Sequence, residues 1–258
     1  MKHLTTEDAY RSPPLHPSWF ARRFPSVHCY FQMVKMLQSG SQAAKKGGYT
    51  IERRVEDSLK ALTYLESVGV RIEVENTSSF RNLESPCVFI SNHMSTLETF
   101  VFSCIIEPYR NLTFVIKEGL IRYPFFKHIM ITLDPVVVTR ENPRDDFRVV
   151  MKEGKERLSR NISVVVFPQT TRSTIFDPVA FNTIGVKLAA YAQVPVIPIA
   201  IKTDAWGNSD WFIRDFGKID PSKPVHICFG DPIQLQNNGK EEHELIIRFI
   251  QDKLEEWS

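Results

Sequence analysis

The feature that most constrains the fold is a succession of seven short apolar runs rich in β-branched residues. They lie at residues 70–74, 87–91, 112–116, 135–139, 163–167, 196–201 and 225–229. Most are followed by stretches of helical length, near 96–106, 144–159, 179–192 and 241–256. Apolar strands without strict alternation are typical of a sheet buried on both faces, and the intervening helices supply its crossovers. The pattern predicts an α/β fold, with a mainly parallel (mixed) central sheet flanked by helices.

The first 48 residues have a different character. Prolines are followed by aromatic side chains interleaved with basic ones, and "QSGSQAAKKGG" (38–48) is typical of a linker. We therefore predict an N-terminal helical, amphipathic segment and linker over 1–48 and a main domain over 49–258. Two roles for the N-terminal aromatics remain open at this point. They either pack on the main domain or contact a membrane surface.

Composition narrows the class of protein. The formal net charge of +2 gives no reason to expect a nucleic-acid partner. The four cysteines lack the spacing of a zinc site, the seven histidines form no HExxH motif, and we expect no metal. No window contains about 18 consecutive apolar residues, so we expect no membrane-spanning helix, although a helix lying in the membrane interface is compatible with the sequence.

A histidine lies two residues after the second apolar run, in "ISNHMSTLETF" (90–100). Ligands gather at the carboxyl ends of parallel strands, which is where His93 falls. Ser95 and Glu98 match a capping box, which alone gives Glu98 a structural explanation. If the helix begins only at Ser95, the preceding turn can fold His93 back towards Glu98. A carboxylate there would fix the imidazole tautomer while the other ring nitrogen takes a proton from a hydroxyl.

This Asn-His-x4-acidic arrangement resembles the first motif of the glycerolipid acyltransferases, the family of 1-acyl-sn-glycerol-3-phosphate acyltransferases. Further motifs of that family recur in the same order. They are "VIKEGLIRYPFF" (115–126), "VVVTREN" (136–142), "VVVFPQTTRS" (164–173), similar to Phe-Pro-Glu-Gly-Thr-Arg-Ser, and "VPVIPIAI" (194–201). On these ordered motifs the chain is identified as a member of the family.

The resemblance implies a set of site residues. His93 would be the general base and Glu98 its orienting partner. The substrate-binding residues would be Lys117, Arg140, Gln169, Thr170, Thr171, Arg172 and Ser173. Arginine suits phosphate recognition because its guanidinium pairs with two oxygens at once. Because the sequence contains no G-x-S-x-G motif, we expect the acceptor hydroxyl to attack the thioester directly.

The resemblance also implies an activity. A fatty acyl group would pass from acyl-CoA or acyl-carrier protein, as co-substrate and without a cofactor, to the hydroxyl of a lysophospholipid. The expected acceptor is 1-acyl-sn-glycerol-3-phosphate, giving phosphatidate in phospholipid biosynthesis. The protein would act at the cytoplasmic side of the membrane, as a peripheral or monotopic protein. The alternative is a non-catalytic, lipid-binding member of the family.

Three positions depart from the family motifs. Glu98 stands where aspartate is usual, which moves the carboxylate outward by one methylene group. Gln169 replaces glutamate, keeping a carbonyl acceptor but losing the charge. Thr170 replaces glycine, which is costly if that position needs a positive φ. We expect these changes to bear on the acceptor rather than on the type of reaction.

Two further features concern the end of the chain. Pro195 and Pro198 predict an edge strand or a bulge beside the site. The aromatics Trp206, Trp211 and Phe212 lie in a loop rich in Gly and Asp. They line a groove for an acyl chain, touch lipid or pack in the core.

Overall fold

The computed structural model describes residues 4, 7–123, 126–169, 171–208, 216–236 and 239–258. Its strands are β1 (Tyr10–Arg11), β2 (Ile72–Glu75), β3 (Val88–Ser91), β4 (Leu112–Lys117), β5 (Val136–Val138), β6 (Ser163–Val166), β7 (Val196–Lys202) and β8 (Val225–Phe229). Its α-helices are α1 (Trp19–Arg23), α2 (Pro25–Lys45), α3 (Ile51–Ser67), α4 (Ser78–Arg81), α5 (Leu97–Ile106), α6 (Lys127–Ile131), α7 (Pro143–Ser159), α8 (Ile184–Ala192) and α9 (Lys240–Glu256). A 3₁₀ turn, Glu118–Arg122, lies between β4 and α6.

The strands form one mixed sheet in the order β1-β2-β8-β7-β3-β6-β4-β5. Five neighbours, β7, β3, β6, β4 and β5, run parallel, so their carboxyl ends share one edge. β8 is antiparallel to β7, β2 is parallel to β8, and β1 is antiparallel to β2. The predicted α/β architecture with a mainly parallel, mixed sheet is confirmed.

Helices cover both faces of the sheet. Side chains of β3 alternate between them: Phe89 belongs to the core under α2, α3, α5 and α6, whereas Val88 and Ile90 belong to the core under α7, α8 and α9. This double burial explains why the strands read as continuous apolar runs. All seven predicted runs are strands. The structure adds β1, whose two residues are too few to show a pattern and which is fixed by a bond from the Ser12 amide to the Ile72 carbonyl (2.9 Å).

The N-terminal segment is more helical than expected. The linker predicted over 38–48 is wrong for most of its length, because α2 continues to Lys45. Gly40 serves close packing rather than a break, since a Cβ there would lie 3.0 Å from the Tyr49 ring and 3.2 Å from Ile129. The helix ends at Lys45, shortly before Gly47 and its positive φ of 71°.

Only some of the N-terminal aromatics pack on the main domain. Tyr30 packs inward, with its ring centroid 5.3 Å from that of the buried Trp206. Trp19 and Phe31 point outward and remain 77% and 62% exposed. Trp206 therefore belongs to the core, whereas Trp211 and Phe212 lie outside the described residues.

The expectation of an edge strand at Pro195 and Pro198 is wrong. β7 lies in the middle of the sheet, between β8 and β3. The paired stretch of β8 ends with Phe229 opposite Ile199, so the missing amide of Pro198 falls beyond the end of that ladder. The Pro198 carbonyl still accepts from the Gly230 amide at 2.8 Å. Proline is tolerated here because its neighbour on the β8 side, Gly230, lies beyond the end of that strand, so no bond of the β7–β8 ladder is lost.

A buried ion pair fixes the helix layer that carries Glu98. Arg54, on α3, donates to both carboxylate oxygens of Glu107, the residue that follows α5, at 2.5 to 3.0 Å. The two residues are only 7% and 4% exposed. Burial raises the pKa of Glu107, and Arg54 opposes the rise by stabilising the charged form. The pair therefore locks the end of α5 to α3.

We expect Arg54→Leu to lower the free energy of unfolding by about 3–5 kcal/mol, because it leaves the Glu107 charge buried without its partner. Urea denaturation measures the loss. The double variant Arg54→Leu/Glu107→Leu should recover most of it, because no unpaired charge remains. If the double variant lost as much free energy of unfolding as Arg54→Leu and Glu107→Leu lose separately when added together, this account would be wrong.

Candidate active site

The carboxyl edge of the five parallel strands gathers residues that are far apart in sequence. His93 follows β3, the loop from Gln169 to Ser173 follows β6, and Arg140 follows β5. Thr203 follows β7 at the same edge. The sheet therefore supplies one rim along which these side chains stand.

The turn that carries His93 is held on both sides. The Gln169 side-chain oxygen accepts from the His93 amide at 2.8 Å, and the His93 carbonyl accepts from the Ser173 amide at 2.9 Å. On the other side, Asn92 bonds both the amide and the carbonyl of Ile201, at 2.9 and 2.8 Å. The Asn92 side chain thus continues the β3–β7 ladder beyond the end of β3, and the backbone of His93 has little freedom.

Glu98 lies beneath this turn with no exposed surface. Its Oε1 accepts from the amides of Met94 and Ser95 and from the Thr203 hydroxyl, each at 2.8 Å. The half of the predicted capping box in which Glu98 reaches back to Ser95 is therefore present. The Ser95 hydroxyl accepts from the Leu97 amide at 3.1 Å, and α5 begins at Leu97. Burial raises the pKa of Glu98, and the bonds from Ser95, Thr203 and Met94 act against that rise.

The imidazole of His93 faces this carboxylate. Its Nδ1 lies 3.9 Å from Glu98 Oε2 and has no hydrogen-bond partner among the described residues. The ring stacks on Phe167, with centroids 4.1 Å apart. Burial lowers the pKa of His93 to about 3, helped by the positive charges of Arg172 and Arg140. The imidazole is therefore neutral at physiological pH and able to accept a proton. Unliganded active sites often show such a distance, which shortens when substrate binds.

Two arginines stand beside the histidine. Arg172 donates from Nη1 to the Thr96 hydroxyl next to the His93 turn. Arg140 has a positive φ of 63°, and its amide donates to Asp146 Oδ2 at 2.8 Å. Asp146 also accepts from the Thr139 amide at 2.9 Å. The first turn of α7 thus shapes the loop that presents Arg140, at the cost of a backbone conformation that residues other than glycine rarely adopt.

The other predicted site residues occupy varied positions. Gln169 is 5% exposed, and its oxygen bonds the His93 amide. Ser173 holds its own turn through Ile175, at 2.7 and 3.1 Å. Thr171 is exposed, and Thr170 lies outside the described residues. Lys117 is exposed at the end of β4. Because β6 separates β4 from β3, Lys117 stands roughly 10 Å along the rim from the histidine strand.

Sequence reasoning missed three residues that shape the site. Thr203 and Asn208 bond the histidine turn from the β7 side, Asn208 through the Met94 carbonyl at 2.7 Å, and Asp146 shapes the Arg140 loop. Thr203 had one signal, since it lies two residues after a predicted strand, 196–201. Its partner became visible only with the strand order. In the parts of the chain that the structure describes, no three metal-ligating side chains cluster in a way that would hold an ion.

The neutral state of the His93 imidazole, whose side chain is 16% exposed, makes stability depend on pH. The unfolded chain binds a proton at His93 near pH 6.5, whereas the folded protein does not until about pH 3. Because the unfolded chain then binds a proton that the folded protein does not, the free energy of unfolding decreases as the pH falls below about 6.5. Between pH 7 and 5 we expect the wild type to lose on the order of 2 kcal/mol more than His93→Gln, at about 1.4 kcal/mol per pH unit. Urea denaturation at both pH values checks this, and equal losses would contradict the burial of a neutral imidazole.

Comparison with known proteins adds a family and a fold. The acyltransferase family model matches residues 71–202. A 1-acyl-sn-glycerol-3-phosphate acyltransferase of Pseudomonas aeruginosa is 35% identical over 144 residues, which cover 55% of this chain and 54% of that protein. The human 1-acyl-sn-glycerol-3-phosphate acyltransferase beta is 27% identical over 164 residues, or 60% and 55% of the two chains. This chain thus spans about half the length of the curated relatives it matches.

A solved structure shows the same fold over almost the whole chain. The crystal structure of the 1-acyl-sn-glycerophosphate (LPA) acyltransferase PlsC from Thermotoga maritima superposes with a TM-score of 0.69. It covers 90% of this chain and 93% of its own, at 17% sequence identity. At that identity the likeness concerns the fold alone.

Proposed function

The chain belongs to the acyltransferase family, and from this premise we propose that it transfers a fatty acyl group from a thioester to the hydroxyl of a lysophospholipid. The observation that carries the proposal is the neutral, half-buried imidazole of His93 facing the buried Glu98 carboxylate, with two arginines beside it. The proposed acceptor is 1-acyl-sn-glycerol-3-phosphate, which would give phosphatidate. The proposed donor is acyl-CoA or acyl-carrier protein.

In this mechanism His93 acts as general base. With Nδ1–H directed at Glu98 Oε2, the Nε2 lone pair takes the proton of the acceptor hydroxyl. The hydroxyl oxygen attacks the thioester carbonyl carbon, and the carbon–sulfur bond breaks. The leaving thiolate then takes the proton from Nε2, which restores the neutral imidazole. Glu98 stabilises the transient imidazolium and remains ionised throughout.

The acceptor's charge would strengthen the base. Arg172 and Arg140 depress the pKa of His93 in the free protein. A phosphate bound to these guanidinium groups would offset their positive field, so the pKa of His93 would rise when the acceptor arrives. A hydroxyl without an anionic group nearby would then meet a weaker base. This coupling favours phosphate-bearing acceptors, beyond the contact energy of the arginines themselves.

Two departures from the family motifs, Gln169 and Glu98, are compatible with this mechanism. Gln169 uses its oxygen to accept from the His93 amide, a role that needs no negative charge. Glu98 keeps the carboxylate below the histidine turn despite its extra methylene group. The alternative of a non-catalytic lipid-binding protein would require turnover to be lost although the base and its partner are in place.

We expect His93→Ala to lower the rate of acyl transfer about 10²–10⁴-fold, because it removes the general base. Glu98→Gln should act in the same direction, because an amide NH₂ facing Nδ1 would favour the tautomer with the proton on Nε2. Thiol release from acyl-CoA with lysophosphatidate measures both rates. His16→Ala, an exposed histidine ahead of α1, is the matched control.

The outcomes separate the two functions. Full activity in a folded His93→Ala protein would overturn the proposed base. Wild-type protein that binds lysophosphatidate but releases no thiol with acyl-CoA or acyl-carrier protein, across a panel of lysolipids, would support the non-catalytic alternative.

We further propose that α1 and the first half of α2 lie on the membrane, at its cytoplasmic side. Their exposed side chains include the large apolar residues Trp19, Phe20, Phe24, Val27, Phe31 and Val34. Arg22, Arg23 and Lys35 flank them, which suits anionic lipid headgroups. Among the described residues no helix is both long and apolar enough to cross a bilayer. The proposed attachment is therefore peripheral or monotopic.

Substituting Trp19 and Phe31 together by serine should weaken binding to anionic vesicles at least tenfold, because each buried aromatic contributes about 1.5–3 kcal/mol. Vesicle co-sedimentation measures the change. Tyr191→Ser, at a 54% exposed aromatic on α8, is the control. Point changes are preferable to deleting 1–48, because the deletion would remove the buried Met33 and Leu37 and expose the core residues that they pack against. If the double variant bound as tightly as wild type, this segment would have only a packing role.

A further inference from the structure

Thr203 is a buried hydroxyl that the mechanism above does not use. It follows β7 and has no exposed surface. Its Oγ1 lies 2.8 Å from Glu98 Oε1 and 3.1 Å from the Ser95 hydroxyl, which is also fully buried. The contact between Thr203 and Glu98 joins positions 105 residues apart in the chain. A hydroxyl buried this deeply needs an acceptor for its proton.

The number of donors and acceptors determines where the protons of Thr203 and Ser95 lie. Each hydroxyl has one proton to donate, and an ionised carboxylate only accepts. Glu98 Oε1 is within reach of the Thr203 hydroxyl, so the Thr203 proton goes there. The Ser95 hydroxyl is within reach of two acceptors, the Thr203 oxygen at 3.1 Å and Glu98 Oε2 at 3.3 Å. While Thr203 donates to Oε1, its oxygen offers Ser95 the shorter of the two bonds.

This arrangement leaves Oε2, the second carboxylate oxygen of Glu98, without a bond from Ser95. When Ser95 donates to Thr203, its proton does not compete for Oε2, the oxygen that faces Nδ1 of His93 at 3.9 Å. Without the Thr203 oxygen, Ser95 would turn its proton to Oε2 and compete with the imidazole. The chain from Ser95 through Thr203 to Glu98 Oε1 therefore keeps Oε2 available for His93.

We propose that Thr203 is a positioning residue: its hydroxyl holds Oε1 of Glu98 and draws the Ser95 proton away from Oε2, so that the free oxygen fixes His93 as the Nδ1–H tautomer. The inference rests on the proposed function for its catalytic meaning, because only that tautomer leaves Nε2 free to accept the proton of a substrate hydroxyl. The arrangement of bonds itself does not depend on the substrate.

The Thr203 hydroxyl also helps to explain how glutamate can stand at position 98, where the family motif has aspartate. A glutamate side chain has one more rotatable bond than aspartate and more ways to miss the imidazole. The amides of Met94 and Ser95 approach Oε1 from the histidine turn, and Thr203 approaches it from β7. Bonds from two separate elements restrain the plane of the carboxylate. Bonds from two adjacent amides alone would restrain it less. Thr203 thus compensates for the longer side chain.

The test compares Thr203→Val, which removes the hydroxyl at nearly constant shape, with Thr203→Ser, which keeps it. Thr203→Ala is a second hydroxyl-free variant in case valine prevents folding. Thr113→Val is the matched control, since Thr113 is equally buried and its hydroxyl bonds the Asp134 carbonyl at 3.1 Å. Long-range ¹⁵N NMR of the histidine side chains at pH 7, with His93 assigned by comparison with His93→Gln, reads the tautomer without substrate.

For wild type and Thr203→Ser we expect mainly Nδ1–H on His93, and for Thr203→Val and Thr203→Ala a shift towards Nε2–H. In acyl transfer kcat should fall on the order of tenfold in the hydroxyl-free variants, a part of what a general base contributes, while KM changes little. Thr203→Ser should retain most of kcat. Thr113→Val should leave both the tautomer and kcat unchanged, even if it lowers stability.

An unchanged His93 tautomer in the hydroxyl-free variants would overturn the proposal. A loss of kcat shared equally by Thr203→Ser would do the same, because packing rather than the hydroxyl would then be responsible. If wild type transfers no acyl group to any lysolipid, the proposed function fails, yet the tautomer comparison still decides the role of Thr203. If wild type is active and Thr203→Val matches it in tautomer and rate, the function stands and this inference falls.

Discussion

The rest of the site depends on the burial of the Glu98 carboxylate beneath the turn that carries His93. A carboxylate without exposed surface is costly unless donors surround it, and here two amides and a hydroxyl bond one of its oxygens. Those donors come from the histidine turn and from the end of β7. The charge thus ties two strand ends together and at the same time faces the imidazole. The structural role of Glu98 and its proposed chemical role thus involve the same carboxylate.

Local patterns predicted most of the sheet and the place of the site. The apolar runs marked the strands because burial on both faces removes alternation, and His93 and Arg172 lie two and five residues after two of the predicted runs. Parallel strands bring their carboxyl ends to one edge whatever their order. The meeting of these residues at one rim could therefore be anticipated without knowing which strands are neighbours.

What could not be predicted depends on the order of the strands. The central place of β7 makes Pro198 an interior residue and brings Thr203 to Glu98, and neither fact has a local signature. Gly40 read as part of a linker because a glycine near serines and lysines usually breaks a helix. Its real reason is the close approach of Tyr49 and Ile129, contacts that no window of sequence contains.

The strand order also bears on how the chain matures. β3 is inserted between β6 and β7, both of which come much later in the sequence. Asn92 bonds Ile201, and Glu98 bonds Thr203 in addition to the nearby amides of Met94 and Ser95. As the polypeptide leaves the ribosome, His93 emerges more than a hundred residues before Ile201 and Thr203. The turn that carries the imidazole is thus completed late in synthesis, and a nascent chain cut short before β7 would carry every predicted site residue without the anchors at Ile201 and Thr203.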